Sequence, residues 1–435
     1  MKDVVAVILA AGKGVRMKSS TPKVLHNLCG RPLIDYSIGL ARQLSIKRII
    51  TVIGYNYEAV KAYLEGKVEV VRQRNLSGTA DALLTAKGKL GNFRGDILVI
   101  SGDVPLLRRF SLGKLISRHR KTKADCSILT ALANTPFGLG RIIRDDKKRI
   151  VKIVEEPDAS TAQRSIREVN SGFYIFSCPR IFNILKNISP DNRKKELYLT
   201  DAVSLLSKQR ARIESVFAPE DEILGINSIE ELARAHEIMQ DRILNSLMRK
   251  GVTILDRRAT YIDDRVKIGR DSIIYPYTFI EGEVRIGREC RIGPFARIRG
   301  KTKIANKVEI GNFVEVVRSD VGGLSKIKHH SYIGDCVVKS KANIGAGTII
   351  ANFDGKQKNQ TVIGEKAFIG SGTILVAPVK VGEGAVTGAG CVVTAGKDVP
   401  PHTVVVGVPA RILRKNKGRI RESKSQRVRK SESQG

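Results

Sequence analysis

The chain has 435 residues, with 76 Lys and Arg against 43 Asp and Glu and a formal charge of +33, a length that suits two or three domains with separate cores. The charge suits an anionic partner, yet no zinc-finger spacing, aromatic ribonucleoprotein motif or recognition helix accompanies it, so a specific nucleic-acid reader is excluded as the leading function. Six scattered cysteines without a CxxC pair read as buried thiols in a reducing compartment, and the first apolar run is too short for membrane insertion, which together point to a cytoplasmic chain.

VVAVILA near the N-terminus predicts a first strand. It is followed by a glycine loop and a helix containing PLIDYSIGLARQL, then by RIITVIG, YEAVKAYL, VEVVRQ, TADALLTAKGKL and DILVISGD. Short apolar runs between amphipathic helices predict a parallel sheet covered on both faces, with functional loops beyond the carboxyl ends of its strands. AAGKG and SGD occupy such positions. A long helix is expected over 228–250, opened by Ser228 with Glu231 three residues on and stopped by Gly251.

After that helix the period becomes six. Ile268, Ile274, Ile280, Ile286, Ile292, Ile298, Ile304, Ile310 and Val316 keep the register, which resumes at Val338, Ile344 and Ile350 and again from Ile363 to Val393. This spacing fits a three-sided coil of short parallel strands, each turning one branched residue inward and burying it on its neighbours. Two stretches, EVVRSDVGGLSKIKHHSYIGD and NFDGKQKNQ, interrupt the register and read as inserted functional loops. The expected organisation is a first domain over 1–227, the helix, a coil over 251–410 and a solvated basic tail over 411–435.

In LAAGKGVRMKSSTPKVLH, Gly12 and Gly14 permit close backbone approach, while Arg16 and Lys23 supply charge suited to a triphosphate. The spacing is neither a Walker A loop nor GxGxxG. The stretch resembles the entry loop of sugar-1-phosphate nucleotidylyltransferases. Together with the six-residue repeats, it resembles over residues 3–410 the bifunctional N-acetylglucosamine-1-phosphate uridyltransferase/glucosamine-1-phosphate N-acetyltransferase family. The resemblance implies an α/β Rossmann-like nucleotidyltransferase domain followed by a left-handed parallel β-helix of hexapeptide repeats. It further implies Mg²⁺, with UTP and acetyl-CoA as co-substrates, a homotrimer, and a product that supplies peptidoglycan and lipopolysaccharide synthesis.

Residue by residue, the resemblance places Ala11, Gly12 and Gly14 at the nucleotide, Arg16 and Lys23 at its phosphates, and Gln73, Gly78 and Thr79 at uracil. Asp103 and Asn227 match metal ligands, and Gly140, Glu155 and Asn170 match the residues around the acetylated sugar. In the coil, His329 matches a general base, with no such role at His330. Arg299, Tyr332, Asn343 and Asn352 match positions around the amino sugar, and Asn352, Lys358, Ser371 and Ala389 lie at or near the coenzyme. Four positions depart from the family pattern: Ser101 replaces an aromatic, Val317 replaces a Lys with Arg318 one place later, Phe353 replaces a Tyr, and Gly407 replaces an Arg. Two other readings stay open from the residues alone. One is a nucleotidyltransferase whose coil is an oligomerising scaffold or altered acyltransferase; the other is a basic solenoid binding module.

Overall fold

The computed structural model describes residues 3–415. They form two compact units that divide at Met239/Gln240, inside the long helix.

In the first unit, β1 (Val4–Ala10) is buried nearly throughout, as expected for a run with apolar residues on both faces. Next come α1 (Leu33–Gln43), β2 (Arg48–Ile53), α2 (Tyr57–Leu64), β3 (Glu69–Arg72), α3 (Thr79–Thr85), β4 (Asp96–Ser101), α4 (Arg109–Thr122) and β5 (Cys126–Leu132). A hairpin of β6 (Arg141–Arg144) and β7 (Ile150–Val154) precedes β8 (Glu168–Ser177), α5 (Asp201–Lys208) and β9 (Ile213–Phe217). The sheet order is β9-β5-β8-β4-β1-β2-β3. β1 lies between β2 and β4, parallel to both, so the loops after β1 and β4 leave the sheet side by side. The sheet departs from the all-parallel expectation at β8, which runs antiparallel to both β4 and β5, and at the β6–β7 hairpin, whose β6 pairs antiparallel with both β7 and β8. A hairpin-fed strand returns without a crossover helix, a connection that the helix–strand alternation of the first hundred residues does not announce.

α6 (Ile229–Met248) begins with the expected capping box. Glu231 N–H donates to Ser228 Oγ at 3.2 Å, and the Glu231 carboxylate accepts from the backbone N–H groups of Ser228 and Asn227 at 3.1 and 2.5 Å. The cap therefore also holds Asn227.

The second unit is a three-faced coil of parallel strands. Its first face stacks Ile274, Ile292, Ile310, Ile327, Ile344, Ile369, Thr387 and Val405; the second stacks Ile262, Ile280, Ile298, Val316, Ile333, Ile350, Leu375 and Val393. These side chains are buried, each contributing about 1.5–3 kcal/mol when it is an aliphatic fully removed from water.

The stretch after Val316 is not an inserted loop. Strands Glu315–Val317, Asp320–Val321, Lys326–His329, Tyr332–Gly334 and Cys336–Val338 continue the coil. Ile310 pairs with Ile327 and Ile327 with Ile344, seventeen residues apart, because two steps, Val316 to Val321 and Ile333 to Val338, lose one residue each. The second interruption is a true insertion. Ile350 pairs onward with Leu375, and residues 352–360 leave the coil as a small hairpin bridged between Phe353 and Lys358. Asp354 closes its turn by accepting from the backbone N–H groups of Lys356 and Gln357, both at 2.8 Å.

The tail expectation is corrected at its start, since Arg411–Lys415 form a strand antiparallel to Thr403–Val406. Residues 416–435 lie outside the described part. All six cysteines are buried free thiols. Among the described residues no helix is long and apolar enough to cross a membrane.

Candidate functional site

A cleft of about 500 Å³ opens where the loops after β1 and β4 diverge, and Ala11, Gly12, Gly14, Lys23, Gln73, Gly78, Thr79, Ser101 and Asp103 line it. Each glycine serves differently. Gly78 has φ 122°, and a Cβ there would lie 2.5 Å from the Leu197 carbonyl oxygen. At Gly14, φ is 62°, and a Cβ would meet Lys23 Cβ at 2.8 Å. Gly12 has nothing within 4 Å of its absent Cβ, so its lack of a side chain leaves open space rather than packing.

Lys23 stands on a short 3₁₀ turn and its ammonium donates to the Asp103 carboxylate and, at 3.2 Å, to Asn227 Oδ1. Two oxygens from distant parts of the chain thus converge on one cation. No group of three or more His, Cys, Asp or Glu side chains arranged for a metal occurs among the described residues. One carboxylate plus one amide oxygen is nevertheless a donor set that suits a hard cation completing its shell with phosphate and water. Gln73 is 4% exposed, and its amide nitrogen donates to the Gly78 carbonyl at 3.1 Å and to Asp81 at 2.7 Å. Thr79 Oγ1 accepts from Leu199 N–H. Arg16 is exposed on the turn Val15–Met17 and does not line the cleft.

Gly140, Glu155 and Asn170 come together beside the sheet. Asn170 N–H donates to the Gly140 carbonyl at 2.8 Å, and the Glu155 carboxylate lies 3.3 Å from where a Gly140 Cβ would be. Burial holds the Glu155 carboxyl above its usual range, against the opposing hydrogen bond from Thr200 Oγ1 at 3.1 Å. Behind them Arg141, 1% exposed, pairs with Glu156 at 2.7 Å. Sequence reasoning passed over that ion pair, since nothing in RIIRDD marks its arginine as buried.

In the coil, the His329 ring Nδ1 faces Asn312 Oδ1 at 3.0 Å beside a shallow cavity of about 230 Å³ that includes Tyr275, Arg291, Glu309 and Lys328. Asn312 was not anticipated; the two residues pair in register one shortened coil apart. His330, with φ 42°, stacks on Phe313 at 5.0 Å, the end of a column through Phe295 and Tyr277. Two residues beyond their inward partners in successive coils, His329, Ala346, Ser371 and Ala389 fall in one column along this corner. Asn343 lies on the first face, paired between Lys326 and Phe368.

Arg299, Tyr332, Asn352 and Lys358 gather elsewhere, along the second face and its far corner. Arg299 pairs with Glu315 at 2.5 Å, and Asn352 donates to Asp335. A Cβ on Gly334 would come within 2.6 Å of the Tyr332 hydroxyl and 2.8 Å of Asn352 Nδ2, so this glycine lets those two side chains close over it. Val317 is fully buried, whereas Arg318, at φ 48°, turns its guanidinium onto Asp335 through two bonds of 2.7 Å.

Residues 5–221 match the family model described as nucleotidyl transferase, and residues 265–300 and 360–395 match that of the bacterial transferase hexapeptide with six repeats. The bifunctional protein GlmU of Pelotomaculum thermopropionicum is 42% identical over 87% of this chain and 90% of its own length. The chain belongs to the bifunctional GlmU family. GlmU proteins of Syntrophomonas wolfei and Syntrophotalea carbinolica are 39% and 40% identical over 92% and 93% of this chain and 96% and 94% of theirs. The similarity to GlmU family members therefore spans both units, and the three-faced coil is their left-handed β-helix of hexapeptide repeats.

Proposed function

We propose that the chain is a bifunctional enzyme. It acetylates glucosamine 1-phosphate with acetyl-CoA, and it transfers UMP from UTP to N-acetylglucosamine 1-phosphate, giving UDP-N-acetylglucosamine and pyrophosphate. The observation that carries the second reaction is the convergence of Lys23, Asp103 and Asn227 at the cleft.

In uridyl transfer the sugar phosphate oxygen attacks the α-phosphorus of UTP, pyrophosphate leaves, and no protein nucleophile is required. Lys23 supplies positive charge where the transferring phosphoryl group gathers negative charge, and the open backbone at Gly12 admits the phosphates. Arg16 serves the same phosphates from the exposed turn. With its amide nitrogen committed to Gly78 and Asp81, Gln73 keeps an oxygen acceptor, which complements the N3–H of uracil and not the N3 lone pair of cytosine. Asp103 and Asn227 would hold Mg²⁺, which screens phosphate repulsion when bound. Gly140, Glu155 and Asn170 hold the acetylated sugar.

For acetyl transfer, Asn312 Oδ1 can only accept, so of the two neutral tautomers of His329 it selects the one with the proton on Nδ1 and the lone pair on Nε2. That is the form able to take a proton from the attacking amine. The column through Ser371 and Ala389 provides a track for acetyl-CoA. His329 and the Arg299–Tyr332–Asn352 group sit at opposite edges of one face, which supports a homotrimer in which neighbouring chains complete each acetyl site.

One preparation assayed separately for pyrophosphate release and for CoA release tests the proposal. Pyrophosphate release without CoA release would leave a nucleotidyltransferase on an oligomerising scaffold.

A further inference from the structure

In the second and third coils the corner after the second face is turned by glycines, Gly282 with φ 82° and Gly300 with φ 73°. The same corner then passes to Arg318 and Asp335, with φ 48° and 49°, at the two steps shortened to five residues. A side chain at such a corner leaves the surface of the coil, and here successive side chains meet one another. Arg318 Nε and Nη2 each donate to one oxygen of Asp335 at 2.7 Å, while Asn352 donates to the same carboxylate. The guanidinium also hydrogen-bonds the Tyr332 hydroxyl, and Lys358 acts on Asp335 through its charge. Arg318 therefore joins the very side chains proposed to bind the amino sugar, although the strand position before it is buried.

We propose that Arg318, aimed by Asp335, recognises the phosphate of the acetyl acceptor and sets the preference for a phosphorylated over an unphosphorylated amino sugar. This rests on the acetyl-transfer reading above. Of the five guanidinium N–H groups Asp335 takes two and Tyr332 one, so donors remain for a second anion. Charge agrees. Arg299, Arg318 and Lys358 face two carboxylates, Glu315 and Asp335, which leaves the cluster net positive and able to accept a monophosphate ester. The shortened step is what makes this possible. With Val317 turned into the core, the left-handed corner carries the next side chain back over the face rather than away from it.

The test uses full-length Arg318→Gly and Arg318→Lys. Glycine suits the corner, as Gly282 and Gly300 do, so the first variant removes the guanidinium without backbone strain. Acetylation of glucosamine 1-phosphate and of glucosamine is measured as kcat/KM for each. The ratio should fall at least tenfold in Arg318→Gly and recover in part in Arg318→Lys, with pyrophosphate release unchanged. Binding of glucosamine 1-phosphate is read in parallel by calorimetry, with saturating UDP-N-acetylglucosamine filling the first site. If the parent protein releases no CoA yet binds glucosamine 1-phosphate and loses that binding in Arg318→Gly, the phosphate assignment stands and the acetyl-transfer reading falls. An unchanged ratio together with unchanged binding overturns the assignment, as does equal loss for both acceptors.

Discussion

Gly12 and Gly78 both line the nucleotide cleft, but opposite consequences follow from giving each a methyl group. At Gly12 the added Cβ meets no protein atom within 4 Å and φ is outside the left-handed region. Alanine there reduces the freedom of the unfolded chain, which stabilises by about 0.4–1 kcal/mol where the native backbone is compatible. The methyl instead fills space claimed by the triphosphate. An overpacking cost of about 1–3 kcal/mol, levied on the complex alone, weakens UTP binding by roughly 5- to 150-fold. At Gly78 the methyl would sit 2.5 Å from Leu197 O and 2.8 Å from Leu197 N, backbone atoms that cannot swing aside, at φ 122°. Gly78→Ala should lose about 3 kcal/mol of stability from strain alone. Thermal unfolding and UTP calorimetry on both variants decide it. A Gly12→Ala protein that binds UTP like the parent would refute the claim that open space at Gly12 belongs to the ligand.

Replacing Lys23 with Met removes the cation that Asp103 and Asn227 share, so Mg²⁺ should raise the unfolding temperature of Lys23→Met more than that of the parent; equal shifts would place the metal elsewhere. Burial raises the Glu155 carboxyl above its ordinary 4.5, so the folded protein binds more protons than the unfolded chain between that value and the folded one. Glu155 should therefore cost the parent stability as pH rises through this window. Glu155→Gln should match the parent below pH 4.5 and unfold at higher temperature than the parent near neutrality, while binding the acetylated sugar more weakly; parallel stability profiles would contradict this. Arg141→Met leaves the half-buried Glu156 with only its longer 3.6 Å ion pair to Arg164 and should cost about 3 kcal/mol, a fall of roughly 6–12 °C for a unit of this size, read by calorimetry.

The amino-acid sequence made the first site largely legible, because its parts occupy positions with their own signals. A strand-like apolar run precedes the glycine loop, another precedes Asp103, and a capping box follows Asn227. Arg16 was legible as a cation and not as an exposed one, since a glycine-rich turn does not reveal which way its side chains point. In the coil, a six-residue rule overlooked that Val316 to Val321 is one step and not a break. The partnership of His329 with Asn312 stayed hidden with it, because the two are neighbours only when the coil is seventeen residues long. Arg318 was hardest of all. Alternation along a strand turns it away from the position of Val317, and only its left-handed corner returns it to the face. β8 was missed as an antiparallel strand because pairing direction depends on the connection and not on strand composition.

The central claim is that two reactions occupy two separate sites on one chain. Asp103→Ala and His329→Ala, each assayed for pyrophosphate release and for CoA release, test it most directly. The account predicts that Asp103→Ala abolishes the first and keeps the second, and that His329→Ala does the reverse. Loss of both reactions from either correctly folded variant, or survival of acetyl transfer in His329→Ala, would contradict it.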